Sequence, residues 1–75
     1  MPPGTPIERA IVLRTQLSAT LGAVAATEEE VARVHDALAE QGPHNTDHYR
    51  QAAAEARSRA VKLRDLQKHF RDLNR

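Results

Sequence analysis

The stretch Gln41-Gly42-Pro43-His44-Asn45-Thr46-Asp47 constrains this chain most, because the sequence on either side of it reads as helix. Glycine tolerates the left-handed conformation that ends a helix, and a proline just beyond it cannot continue one. Asn45 or Thr46 can then offer a side-chain oxygen to the free N–H groups of a new helix, and Asp47 suits the positive end of its dipole. A connection this short joins antiparallel neighbours. The expected fold is all-α: a two-helix antiparallel hairpin, coiled-coil-like, forming one domain over residues 1–75. Its expected parts are an extended lead-in over residues 1–5, helix over 6–41, a turn over 42–46 and helix over 47–73.

Thr5-Pro6-Ile7-Glu8 carries three agreeing start signals: a capping threonine, a proline at the first helical position and a glutamate three residues after the cap. From there Ala10, Leu13, Leu17, Thr20, Val24, Thr27, Val31, Val34 and Leu38 recur at spacings of three and four, a heptad seam. Ile7, Ile11, Val12 and Leu21 lie beside that seam and widen the apolar arc of its first half. After the turn, Tyr49, Ala52, Ala56, Arg59, Leu63, Leu66, Phe70 and Leu73 form a second seam. The two seams are expected to face each other, with Tyr49 near Leu38, Ala56 near Val31 and Leu63 near Val24. Leu66 and Phe70 would then reach Leu17 and Leu21. Arg59 comes level with residues 27–30, where a salt bridge would fix the register. With its ring fully buried, Phe70→Ala would cost about 3–5 kcal/mol. Thr27-Glu28-Glu29-Glu30 is itself a capping pattern and could break the first helix near residues 25–27. Residues 23–26 are good helix formers without turn chemistry, so one continuous helix is expected.

Thirteen of the residues are alanine, so large apolar side chains are few and fall on narrow stripes. At 75 residues the chain sits near the size where one core barely offsets chain entropy. Two such helices alone leave one side of their stripes wet. A second copy, giving a four-helix bundle with a twofold axis, covers them, and a helical partner protein would serve equally. Ile11, Leu13, Leu17 and Leu21 from the first helix, with Leu63, Leu66 and Phe70 from the second, are the expected protein interface. The function this implies is a non-catalytic interaction module: a small adaptor, scaffold or regulatory subunit.

Charge is unevenly placed. Residues 1–49 carry three Lys/Arg against seven Asp/Glu, a net −4; residues 50–75 carry eight against three, a net +5. Self-complementarity of two antiparallel helices explains this layout. The second reading is nucleic-acid binding through Arg50, Arg57, Arg59, Lys62, Arg64, Lys68, Arg71 and Arg75. Against it, acids interleave, the basic residues point in several directions, and no aromatic is placed to stack on bases.

Catalysis and cofactors are not expected. There is no cysteine, neither Ser18 nor Ser58 has a histidine one turn away, and the three glycines make no phosphate loop. His44, Asp47 and His48 cluster at the turn, with His35 and Asp36 below them, and such ligands suit zinc. The plainer reading is polar turn residues, and no metal is expected. No apolar run is expected to reach the roughly 18–20 residues that span a bilayer. Residues 15–27 lack charge and faintly mimic a signal peptide, but Thr, Ser and Gly interrupt them. No membrane partner and a cytoplasmic location are expected.

Overall fold

Thr5 and Pro6 start the first helix as their chemistry requires. In a computed structural model, which describes residues 4–74, Thr5 is extended and its Oγ1 accepts from the Glu8 amide at 3.0 Å. Pro6, with no N–H to leave unpaired, takes the first turn. α1 then runs unbroken over Pro6–Glu40. Thr27 caps nothing: its hydroxyl donates one turn back to the Ala23 carbonyl at 3.1 Å, inside a continuous helix. α2 spans Thr46–Asp72. Among the described residues there is no strand, so the chain is an all-α hairpin. Of the expected lead-in, residues 1–3 lie outside the described residues.

The turn is built differently from the expectation. Gly42 does not have a positive φ; the left-handed residue is Asn45, at φ 62°. Asparagine is among the few L-residues that adopt this conformation at low cost. Neither Asn45 nor Thr46 caps α2 as expected: Asn45 makes no side-chain cap, and the Thr46 hydroxyl donates to the Gly42 carbonyl at 3.0 Å and the Ala39 carbonyl at 3.5 Å. Thr46 therefore ties the start of α2 to the end of α1. Gly42 is left without a conformational task, and nothing lies within 4 Å of where its Cβ would be. Gly42→Ala is expected to raise stability by about 0.4–1 kcal/mol by narrowing the unfolded ensemble. Chemical denaturation checks this, and a clear loss of stability would return Gly42 to the role of helix terminator.

The contact between the helices is made of alanine. Ala25, Ala32 and Ala39, one per heptad of α1, are buried against Ala53, Ala56 and Ala60 of α2. Small side chains let two helix backbones approach closely, and the dispersion contacts come from many backbone and methyl atoms. This corrects the expected packing. The observed α1 contact stripe is one residue on from the leucine- and valine-bearing seam, a rotation of about 100°, so that seam turns away from α2. Leu13, Leu17, Val24, Val34 and Leu38 are all exposed. Among the described residues no large side chain is fully buried, and Phe70 is half-buried. The full burial cost assigned to its ring does not apply within one hairpin.

The axial register, by contrast, is the expected one. Arg59 pairs with Glu28, the Tyr49 ring lies 6.1 Å from that of His35, and the Ser18 hydroxyl donates to the Gln67 carbonyl at 3.4 Å. At the open end the Asn74 amide donates to the Thr15 hydroxyl at 3.2 Å. The molecule measures 59 × 21 × 13 Å, with a radius of gyration of 17.4 Å. A compact domain of this length would have a radius near ~11 Å. The hairpin is a slab one helix thick, and a single layer has no interior in which to hide large side chains.

Candidate interaction surface

Two different faces of α1 follow from its sequence. The positions at 25, 32 and 39 are alanine and meet α2. The adjoining positions, Leu13, Leu17, Thr20, Val24, Thr27, Val31, Val34 and Leu38, keep the three-and-four spacing of a helix-pairing seam. Of these only Val31 is partly covered, against the alanine cluster. Leu13 is 59% exposed and Leu17 46%. Thr27 can sit in such a seam because its hydroxyl proton already has an acceptor in Ala23.

Ion pairs show which side of the slab this stripe occupies. Glu28, paired with Arg59, neighbours Val24 and Val31 on the helix surface, being one turn from each. Leu66 and Leu73 lie one and two heptads beyond Arg59, so they share its side, and both are exposed. One face of the slab therefore carries an aliphatic line along α1 with two leucines of α2 beside it. On the opposite side Arg57 pairs with Asp36 and Arg64 with Glu29, the latter at 2.7 Å.

The expected interface residues are thus distributed unequally. Leu13, Leu17 and Leu66 lie exposed on the aliphatic face. Leu21, Leu63 and Phe70 are half-buried along the seam between the helices. Ile11 is exposed on α1 near the open end, where its carbonyl accepts from the Asn74 amide at 3.4 Å. Val24, Val34 and Leu38 belong to the exposed stripe as well, although the sequence reading assigned them to the contact with α2. The signal that could have separated the two faces is the alanine at every seventh position, 25, 32 and 39.

The polar side has its own order. Arg50, Arg57, Arg64 and Arg71 recur every seven residues and form one line along α2, more regular than the scatter read from the sequence. The Arg57 guanidinium, hydrogen-bonded to Asp36, holds that carboxyl below its ordinary range, with the field of Arg50 adding to it. Arg64 does the same to Glu29 chiefly through a hydrogen bond, opposed in part by desolvation. A carboxyl whose folded pKa is lowered contributes stability above its unfolded pKa and loses it as pH falls through the folded value. The hairpin is therefore expected to be less resistant to denaturant below about pH 4 than at pH 7, with the difference shrinking in high salt. Circular dichroism across that range checks this; a flat profile would mean that these exposed pairs contribute nothing.

At the turn, the Tyr49 ring lies 5.7 Å from that of His48, edge to face, as well as 6.1 Å from that of His35. The Nδ1 of His35 lies 2.8 Å from the Val31 carbonyl and carries the proton of that bond. Among the described residues no three His, Asp or Glu side chains converge where they could hold a metal ion. The length of α1 needs one correction too: an 18-residue stretch of it is apolar enough, by composition, to cross a membrane. Threonine, serine and glycine interrupt that stretch without making it polar. In the hairpin the same helix lies along the strongly charged α2, joined to it by the three interhelical ion pairs. Comparison with known proteins finds no matching family model, no similar curated protein and no similar solved structure.

Proposed function

We propose that this chain is a non-catalytic protein–protein interaction module, a small adaptor, scaffold or regulatory subunit, whose working form is a dimer of hairpins stacked as a four-helix bundle. The observation that carries the reading is the inversion of burial: alanines fill the contact within the hairpin while the leucines and valines of α1 stay outside. A sequence that needed only a hairpin would have no use for an aliphatic stripe at helix-pairing spacing on its outer face. The size also fits. A slab of 59 × 21 Å covered over about two thirds of one face buries roughly 800 Å² per copy, the usual figure for a stable interface. A helical partner of another sequence would meet the same chemical requirement.

The nucleic-acid reading has less support. Arg57, Arg59 and Arg64, three of the eight basic residues of the second half, are engaged with acids of α1. Light scattering over a concentration series at moderate salt tests the proposal, with twice the mass of the chain as the expected result. A single-chain mass at every concentration would remove the second copy as the partner. Duplex binding with a steep inverse salt dependence would turn the assignment toward nucleic acid.

A further inference from the structure

We infer that two copies meet along α1 itself, antiparallel, with the twofold axis crossing between Ala25 and Ala26. This rests on the reading of the aliphatic face as a contact between copies, and it specifies which surfaces touch.

Stacking two slabs by a twofold axis leaves two choices: α1 lies over the partner's α1, or over the partner's α2. The two helices differ in what they present on the shared face. The stripe of α1 contains no charged residue from Leu13 to Leu38. On α2 the positions beside Arg59 are Glu55 and Lys62, one turn away on either side. Laying the aliphatic stripe over that helix would strip water from charges and give them no partner. Laying it over a second α1 sets no charge against the stripe.

Orientation follows from the charge along α1. Residues 6–23 hold Glu8, Arg9 and Arg14, a net +1, while residues 24–40 hold five acids and Arg33, a net −4. A parallel pair sets the acidic halves against each other. An antiparallel pair sets each against the other copy's basic half. Centring the pair between Ala25 and Ala26 then uses every stripe position: Leu13 meets the partner's Leu38 at each end, and Val24 meets the partner's Thr27 in the middle. A shift by one heptad leaves leucines overhanging at both ends. The three-and-four spacing of the stripe is itself symmetric about that centre, and each threonine there meets a valine of the partner, as a self-complementary interface requires.

The chain has no cysteine, so single substitutions report distances directly. Gln16 and Ala37 are both exposed and flank the stripe on its outer edge, where they place no demand on folding. In the antiparallel pair Gln16 lies level with the partner's Ala37, to within about 3 Å along the axis. The two copies of Gln16 are about 29 Å apart, and those of Ala37 about 35 Å. A short bis-maleimide added to mixed Gln16→Cys and Ala37→Cys proteins is expected to give a covalent dimer that is lost with either variant alone. Cross-linking of Gln16→Cys with itself would overturn the inference in favour of a parallel pair. A dimeric mass by light scattering with no cross-link in the mixture would overturn it in favour of α1 over the partner's α2, leaving the interaction module standing. A single-chain mass would overturn the inference by removing the second copy as the partner, and flotation of that monomer with phosphatidylcholine vesicles would bring down the interaction module as well and assign the stripe to lipid.

Discussion

Replacing Ala56 by leucine is expected to lower the stability of the hairpin by about 1–3 kcal/mol, enough to unfold much of a chain this small. Ala56 is fully buried, in one cluster with Ala32 and Ala53. The leucine brings three further carbons into a space shared with Ala32 of α1, whose methyl has no rotamer with which to yield. Relief comes only by parting the helices, and that stretches the neighbouring Arg57–Asp36 and Arg59–Glu28 pairs. Val61→Leu is the control, at a site 60% exposed, where a change within about 0.5 kcal/mol is expected. Urea denaturation of both proteins checks the contrast. Equal midpoints would mean that the helices are not held close by alanine.

The second large effect is on association. Leu17→Asp places a carboxylate in the aliphatic stripe, where the lone hairpin leaves the side chain 46% exposed. Helicity of the single chain is expected to change little, since an exposed substitution away from the alanine contact touches nothing that holds the fold. In a twofold dimer the change counts twice, burying two unpaired charges. A loss of about 3 kcal/mol, roughly a hundredfold in the dimer dissociation constant, is the minimum expected. Val61→Asp, on α2 away from the stripe, is expected to leave the dimer intact. Light scattering and circular dichroism on the two variants separate loss of pairing from loss of folding. An unchanged mass for Leu17→Asp would sink the assignment of this face.

The architecture and the axial register were legible in the sequence for a common reason. Helix ends and level pairings depend on local chemistry: Thr5, Pro6, the polar turn and the single cation of the second seam. Arg59 found Glu28 because a five-residue connection leaves two antiparallel helices almost no freedom to slide. Rotation about the helix axis was not legible. Hydrophobic spacing states that a stripe must be covered, but not by which surface. The rule that large side chains go inside assigned Leu17 and Val24 to the contact with α2. The alanines at 25, 32 and 39 win that contact because closeness between backbones yields more contact area than a few interdigitated leucines at wider separation. Gly42 misled for a similar reason, since Asn45 can adopt the left-handed conformation that glycine was expected to supply. The composition of the candidate surface was therefore visible, while its location on the outside was not.

The buried alanines stop at Ala25 on α1 and Ala60 on α2. Beyond them, toward the open end, the helices meet through half-buried side chains and single hydrogen bonds such as Ser18 to Gln67. The hairpin is thus a zip with its slider at the turn. Amide hydrogens near Ala39 and Ala53 are expected to exchange only when most of the molecule opens, and those near Leu13 and Phe70 through fraying that leaves the turn intact. Two such zips laid head to tail put the secure end of each across the loose end of the other, so that exchange at the open ends becomes a direct gauge of how much of the protein is paired.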